Sequence, residues 1–267
     1  MRIGLITSRP DHPVLAATAA LLGGRAHDVR PLDPDRLTRV PAPLADVYLL
    51  KSGAPRAVAL ARDAERQGAT VVNSAWATAR CQDRTAMADT ALAAGLPFAP
   101  TRTFATLRDL AAASAAAPPR GPLVVKSRHN RKQDVVARVD DTDALHALAA
   151  AHPQEPVVVQ DFAPNNGWDH KLWAVGDRLF AALRRSELAP GDGPSAARPL
   201  AVTDLPPGWA DLVHRVGEVF ALDVYGVDVI DTGGGTPLIV DVNAFPGIRE
   251  QPGAPEALAE LALRRGA

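Results

Sequence analysis

Short apolar runs alternate with helical patterns through the first third of the chain, and this alternation constrains the fold more than any other feature. Ile3-Gly4-Leu5-Ile6-Thr7, Val47-Tyr48-Leu49-Leu50 and Thr70-Val71-Val72-Asn73 read as strands. Between them, Val14 to Leu22 and Arg56 to Gln67 read as helices, the second stopped by Gly68. Parallel strands need long crossover connections, and helices supply them, so the pattern predicts a parallel sheet covered on both faces. Residues 1–74 are therefore expected to form a doubly wound α/β domain.

The remainder mixes strands and helices less regularly, in an α+β manner. Ser74 suits a helix cap, and the helical run Ala86 to Ala94 that follows ends at Gly95. Thr101 to Phe104 reads as a strand and Leu107 to Ala117 as a helix, before the rigid break Pro118-Pro119-Arg120-Gly121-Pro122. Strands are predicted at Leu123 to Lys126, Val135 to Val139 and Val157 to Gln160, with a helix from Thr142 to Ala151. Gly176-Asp177 is a hairpin turn signal between Lys171–Val175 and Arg178–Leu183. The glycine- and proline-bearing stretch Ala189 to Pro199 reads as a mobile loop. Trp209 to Phe220 is an amphipathic helix, and Pro255 to Arg265 a short closing one. Two units are expected after the first, at residues 75–160 and 161–267.

Composition narrows the function. The 267 residues are 47% hydrophobic, enough for a real core in more than one domain. Lys and Arg total 29 against 30 for Asp and Glu, so the chain lacks the basic excess of a nucleic-acid coat. Aromatic residues at 4% argue against a base-stacking platform. The one cysteine, Cys81, excludes a disulfide scaffold and a multi-cysteine zinc site. The start of the chain lacks the features of a signal peptide, and no apolar run reaches the ~20 residues of a spanning helix. A cytoplasmic protein with a reduced Cys81 and no membrane partner is expected. Neither GxxxxGK[ST] nor GxGxxG, GxSxG or HExxH occurs.

The chemistry concentrates near the end of the chain. Gly226-Val227-Asp228-Val229-Ile230 and Leu238-Ile239-Val240-Asp241-Val242-Asn243 are apolar strands interrupted by acids. Asp241 and Asn243 are two apart and share a face, and Asp228 joins them if the strands pair. Two carboxylates and an amide oxygen on one face suit a hard cation such as Mg²⁺, completed by water and substrate phosphates. The plainer alternative is a pair of acids neutralised by nearby arginines.

Together with Lys126 at the end of its strand, with Gln160-Asp161-Phe162-Ala163, and with Asp241-Val242-Asn243-Ala244-Phe245-Pro246-Gly247, these residues occur in an order that resembles the ATP-grasp superfamily over about residues 74 to 250. The resemblance implies an ATP-grasp fold, with residues 1–74 as the α/β domain that precedes it. It implies that Lys126 meets the α- and β-phosphates, and that Gln160, Asp161, Phe162 and Ala163 form the hinge against which adenine lies. Arg84 matches a phosphate-binding cation, Asp169 an acid that meets the ribose, and Lys171 a cation for the phosphoryl group in transfer. Arg184 is expected to face the cleft, in register with Phe180 and Ala182, and His170 to pack on the opposite face. Asp228, Asp241 and Asn243 become the metal ligands, and ATP with Mg²⁺, or Mn²⁺, the cofactors.

One departure is plain. The family's Gly-rich loop after the strand lysine is replaced by Ser127-Arg128-His129-Asn130-Arg131-Lys132-Gln133-Asp134, which has no glycine. A basic lid, with Arg128, Arg131 and Lys132 on the phosphate side of the cleft, is one expectation, and a solvated turn the other. The implied activity is an ATP-dependent carboxylate–amine ligase, resembling the ribosomal-protein glutamate ligases, with a small-molecule or peptide substrate of anionic character. The alternatives are a kinase resembling the inositol trisphosphate kinases and a non-catalytic nucleotide-binding module. A homodimer is the default expectation for assembly.

Overall fold

The architecture comes from a computed structural model, which describes residues 1–131, 134–189, 197–248 and 250–267. The first unit runs β1 (Arg2–Ile6), α1 (Pro13–Gly24), β2 (Asp28–Leu32), β3 (Val47–Leu50), α2 (Pro55–Arg66) and β4 (Thr70–Val72). Its strands form a parallel sheet in the order β2-β1-β3-β4. Alternation along the strands sorts the faces: Ile3, Leu5, Val47 and Leu49 meet α1, while Ile6, Tyr48 and Leu50 meet α2. The expected double winding is therefore present. Strand β2 escapes sequence inspection because it is an edge: of Asp28-Val29-Arg30-Pro31-Leu32 only Leu32 is buried. An edge strand also tolerates Pro31, which has no N–H to offer a neighbour.

Two helices follow where the sequence suggested one capped unit. Ser74 caps α3 (Ala75–Gln82), its Oγ accepting from the Ala77 N–H at 3.1 Å. Asp83 then adopts an extended conformation, ends α3 and caps α4 (Arg84–Ala93) by accepting from Thr85 at 2.9 Å. The run Ala86 to Ala94 thus belongs to a separate helix with its own acidic cap.

The second sheet comprises β5 (Thr101–Phe104), β6 (Leu123–Ser127), β7 (Val136–Val139) and β8 (Val157–Asp161), antiparallel in the order β5-β8-β6-β7. Helices α5 (Leu107–Ala116) and α6 (Thr142–Ala151) bury one face of it against Leu123, Val125, Val157 and Val159. The other face is left for the site.

The third sheet is antiparallel, in the order β11-β10-β9-β12-β13. It contains β9 (Trp168–Val175), β10 (Arg178–Arg185), β11 (Arg198–Leu200), β12 (Val224–Asp231) and β13 (Pro237–Ala244). The β9–β10 hairpin turns at Gly176, whose φ of 56° is readily reached without a Cβ. Helix α7 (Trp209–Phe220) backs this sheet, packing Trp209, Val213, Val216 and Phe220 on Leu172, Val227 and Val229. The loop read at Ala189 to Pro199 is corrected at its end: Arg198 and Pro199 lie in β11, paired with Leu183 and Ala182 of β10. Residues 190–196 of that stretch lie outside the described residues.

The last helix, α8 (Ala254–Gly266), returns to the first sheet and packs its Ala257, Leu258 and Leu261 with Leu15 and Val47. No helix among the described residues is long and apolar enough to cross a membrane.

Candidate active site

A cleft of about 240 Å³ lies between the open faces of the second and third sheets. Val124, Val136, Ile230, Leu238 and Val240 give it an apolar part. Arg84, Lys126, Asp169, Lys171, Asp228 and Asp241 give it a charged one. Strand alternation explains most of the lining. Val124 and Lys126 face the cleft while Leu123 and Val125 face α5 and α6. Asp228 and Ile230 face it while Val227 and Val229 face α7.

Strand β13 breaks the rule, because adjacent Val240 and Asp241 both line the cleft. The register shows why. Asp228 pairs with Asp241, but Val229 pairs with Ile239, so Val240 is an extra residue in a β-bulge. A bulge re-aims side chains and leaves backbone groups without ladder partners. Here it keeps Ile239 and Val242 in the core while turning Asp241 into the cleft beside Asp228. Lys126 Nζ donates to the Val240 carbonyl at 2.7 Å.

The charges are tightly interlocked. Lys171 Nζ lies 2.8 Å from Asp228 and 3.6 Å from Asp169. Arg84 Nη1 donates to Asp134 at 2.6 Å and to the Ser127 carbonyl at 2.8 Å, and Nη2 lies 3.6 Å from Asp241. Burial pulls the Lys171 ammonium down, but Asp228 and Asp169 more than reverse this and hold its pKa above the ordinary lysine value. Burial lowers Lys126, against the pull of Asp241. Burial raises Asp228, and Asp241 beside it adds to the rise.

Asn243 is placed differently from the acids. It shares the strand face of Asp241 but is not among the residues lining the cleft. Its Oδ1 accepts from the Asn130 amide at 3.0 Å. The amide oxygen keeps a second lone pair.

At the hinge, Gln160, Asp161, Phe162 and Ala163 all line the cleft. The Gln160 amide donates to Thr101 Oγ1 at 3.0 Å. The Asp161 side chain is largely exposed and lies 3.2 Å from Arg102. The Phe162 N–H is already used by the Pro122 carbonyl at 2.9 Å. Arg184 lines the cleft, pairing with Glu187. His170 packs on the far face, edge-on to Trp209 at 4.7 Å, and burial lowers its pKa. Cys81 is buried, which pushes its thiol up to about 12 and removes it as a nucleophile.

The basic lid is a correction. Arg128 forks onto Asp83, with Nη2 at 2.8 Å, and Arg131 pairs with Glu155. Neither lines the cleft. The segment is pinned to the α3–α4 junction by the Arg84 N–H to Arg128 carbonyl bond, the Asn130 N–H to Gln82 carbonyl bond and the Asp83–His129 bridge. Acids close in space but remote in sequence claimed the arginines. Lys132 lies outside the described residues. Sequence reasoning also passed over Asn130 and Asp134, whose contacts with Asn243 and Arg84 span 113 and 50 residues. The visible signal was that Asp134 is the only acid in that basic segment.

Residues 108–253 match the family of RimK-like ATP-grasp domains. The chain belongs to the RimK-like ATP-grasp family. No curated protein matches it significantly. Among solved structures it resembles a RimK domain ATP-grasp protein of Sphaerobacter thermophilus, at 24% identity over 98% of this chain and 100% of that one, with a TM-score of 0.75. It also resembles the ATP-grasp ligase PsnB complexed with a minimal precursor, Mg and ADP, at 15% identity over 100% and 96%, TM-score 0.69. The macrocyclase MdnC of Microcystis aeruginosa, bound with precursor peptide MdnA, aligns at 15% identity over 99% and 100%, TM-score 0.67. At these identities the likeness is one of fold, and the ATP-grasp fold expected of this chain is the one it has.

Proposed function

We propose that this RimK-like ATP-grasp chain is an ATP-dependent carboxylate–amine ligase of the peptide type that acts through an acylphosphate. One observation carries the reading. Arg84, Lys126 and Lys171 converge with Asp228 and Asp241 in a cleft that also has an apolar part formed by Val124, Val136, Ile230, Leu238 and Val240. That shape suits a flat base continued by a polyphosphate.

Adenine would lie between Val124 and Leu238, reading the backbone of residues 161–163, with Asp169 toward the ribose. Lys126 and Arg84 would hold the α- and β-phosphates. Lys171 and Arg184 would face the γ-phosphate and the acidic substrate.

The donor set fits Mg²⁺. Among the described residues no three His, Cys, Asp or Glu side chains cluster as a metal site. Magnesium, however, takes one or two carboxylates and completes its shell with phosphates and water. Asp228 and Asp241 are cross-strand neighbours, and burial opposes the charge of Asp228, a condition a divalent cation relieves. Asn243 would add its amide oxygen, and Mn²⁺ suits the same donors. A bound Mg²⁺ would offset the repulsion between the β- and γ-phosphates.

In the first step a substrate carboxylate oxygen bonds to the γ-phosphorus while the bond to the ADP oxygen breaks. Lys171 and Arg184 stabilise charge on the phosphoryl oxygens. In the second, an amine attacks the acyl carbon, inorganic phosphate leaves, and the amine's proton passes to solvent. The peptide character of the substrate is supported by PsnB and MdnC, each described in complex with a precursor.

The kinase alternative, suggested by Arg84, Lys171, the Asp241-to-Gly247 string and the basic segment Arg128 to Lys132, loses one support, since Arg128 and Arg131 are engaged by Asp83 and Glu155. The test is ATP consumption over amino acids and acidic peptides, with product mass read directly and hydroxylamine added. A condensed product and a hydroxamate are expected. A product heavier by one phosphate, with no hydroxamate, would establish the kinase instead.

A further inference from the structure

We propose that Asp134 is a positioning residue, holding the Arg84 guanidinium so that its Nη2 is presented to the phosphate end of the cleft. This deepens the ligase reading and rests on its assignment of Arg84 to phosphate.

Arg84 opens α4, and its side chain is only 8% exposed. Its donors are unequally used. Nη1 gives both its hydrogens, one to Asp134 at 2.6 Å and one to the Ser127 carbonyl at 2.8 Å. Nη2 lies 3.6 Å from Asp241, beyond hydrogen-bond distance, and Nε is buried with no partner. A buried guanidinium with unused donors is costly until an anion completes it. The edge without a hydrogen-bond partner is the Nε–Nη2 fork, the one able to grip two oxygens at once.

Asp134 supplies the fixed side of this arrangement. It is not among the cleft-lining residues, and it holds Arg84 by Nη1, which leaves Nη2 on the Asp241 side. It is itself held in place. The next residue, Val135, exchanges bonds with Ser127, its N–H donating to Ser127 Oγ at 2.8 Å and its carbonyl accepting from the Ser127 N–H at 2.7 Å. At the other end of the segment, Arg128 and Asn130 are pinned to Asp83 and Gln82. Residues 127–134 contain no glycine, so a backbone nest for phosphate is disfavoured there. A side-chain cation oriented by an acid does that work instead.

The experiment compares MgATP and adenosine affinities by calorimetry for the wild type, Asp134→Ala, Asp134→Asn, Arg84→Gln and the Asp134→Ala/Arg84→Gln double variant, with melting curves for each. Asp134→Ala is expected to weaken MgATP roughly ten-fold and leave adenosine unchanged. Asp134→Asn, which keeps an acceptor for Nη1, should recover part of the loss. In the Arg84→Gln background Asp134→Ala should cost nothing further. Equal loss for both ligands would reveal a merely structural role and overturn the proposal. So would unchanged or tighter MgATP binding, which would make Asp134 a competitor for Arg84. Should Arg84→Gln not fold, Arg84→Lys, which keeps the charge but cannot fork, replaces it. An Arg84 variant that binds MgATP as well as wild type would remove Arg84 from the phosphates and the proposal with it. Intact nucleotide results without a condensed product would instead overturn the ligase reading alone.

Discussion

The Lys126 ammonium donates to the carbonyl of Val240, the residue that the bulge in β13 leaves without a cross-strand partner. The ammonium thereby ties together, at the charged end of the cleft, the two sheets that enclose it. That cation keeps further donors for a ligand, because an ammonium has three.

Lys126→Met is expected to weaken MgATP binding about ten-fold or more, since a desolvated point charge against phosphate is lost. Stability should stay within about 1 kcal/mol of wild type, because Val240 is half-buried at the cleft and water can take the place of the ammonium on its carbonyl while the apolar chain keeps the packing. Calorimetry beside thermal melting checks both. Unchanged ATP affinity would remove Lys126 from the site.

Asp241→Asn keeps the size of the side chain but not its charge. Mg²⁺-dependent ATP turnover is expected to fall on the order of 100-fold or more, with the fold intact. The Arg84 guanidinium keeps Asp134 as its partner, and the Lys126 ammonium keeps the Val240 carbonyl and the pull of Asp228. Steady-state turnover across a magnesium titration, with circular dichroism as the control for folding, reads the effect. Wild-type turnover would refute the metal assignment.

Asn73 reaches from the end of the first sheet to β12. Its Oδ1 accepts from the N–H groups of Asp223 and Val224 at 2.8 and 2.9 Å, and its Nδ2 donates to the Val224 carbonyl at 2.7 Å. Asn73→Leu would leave the Asp223 and Val224 N–H groups without this acceptor, while the Val224 carbonyl keeps the Phe245 N–H at 2.8 Å, at a cost of about 2–4 kcal/mol. Urea unfolding should show the loss as a lower midpoint. A change below about 0.5 kcal/mol would show that the strand ends meet without it.

Asp63 provides a pH signature away from the site. Its carboxylate accepts from the Val40 N–H at 2.9 Å and from Arg66 and Gln67 of its own helical stretch. The Val40 bond, with help from Arg66 and against burial, holds its pKa below the ordinary 3.8. A depressed folded pKa means that the stabilisation is present above 3.8 and is lost as pH falls through the folded value. The stability gap between wild type and Asp63→Asn should therefore be constant near neutrality and close in acid. Denaturant unfolding across that range checks it, and a gap that persists in acid would contradict the linkage.

The doubly wound sheet could be read directly, because Ile3, Leu5, Val47 and Leu49 are buried between helices and must be apolar almost without interruption. The α7 helix carried the same clarity, with its buried stripe at helical spacing from Trp209 to Phe220. Strand β2 did not, since one buried residue in five leaves no pattern. The lid expectation failed for a related reason: a run of charges shows its sign but not its partners, and Asp83 and Glu155 are remote from it in sequence.

By itself the sequence determined most of the order of strands and helices, the acids Asp228 and Asp241 on strands that bring them to one face if paired, and the candidate cations Lys126 and Lys171. Local periodicity and residue chemistry carry that information along the chain. The tertiary structure decided which charges meet. It closed the second sheet over the third, placed Lys126 on Val240 and Arg84 between Asp134 and Asp241, and turned Arg128 and Arg131 away. A bulge of one residue aimed Asp241 into the cleft. Such pairings depend on distances across strands and between lobes, and those distances exist only once the chain has folded.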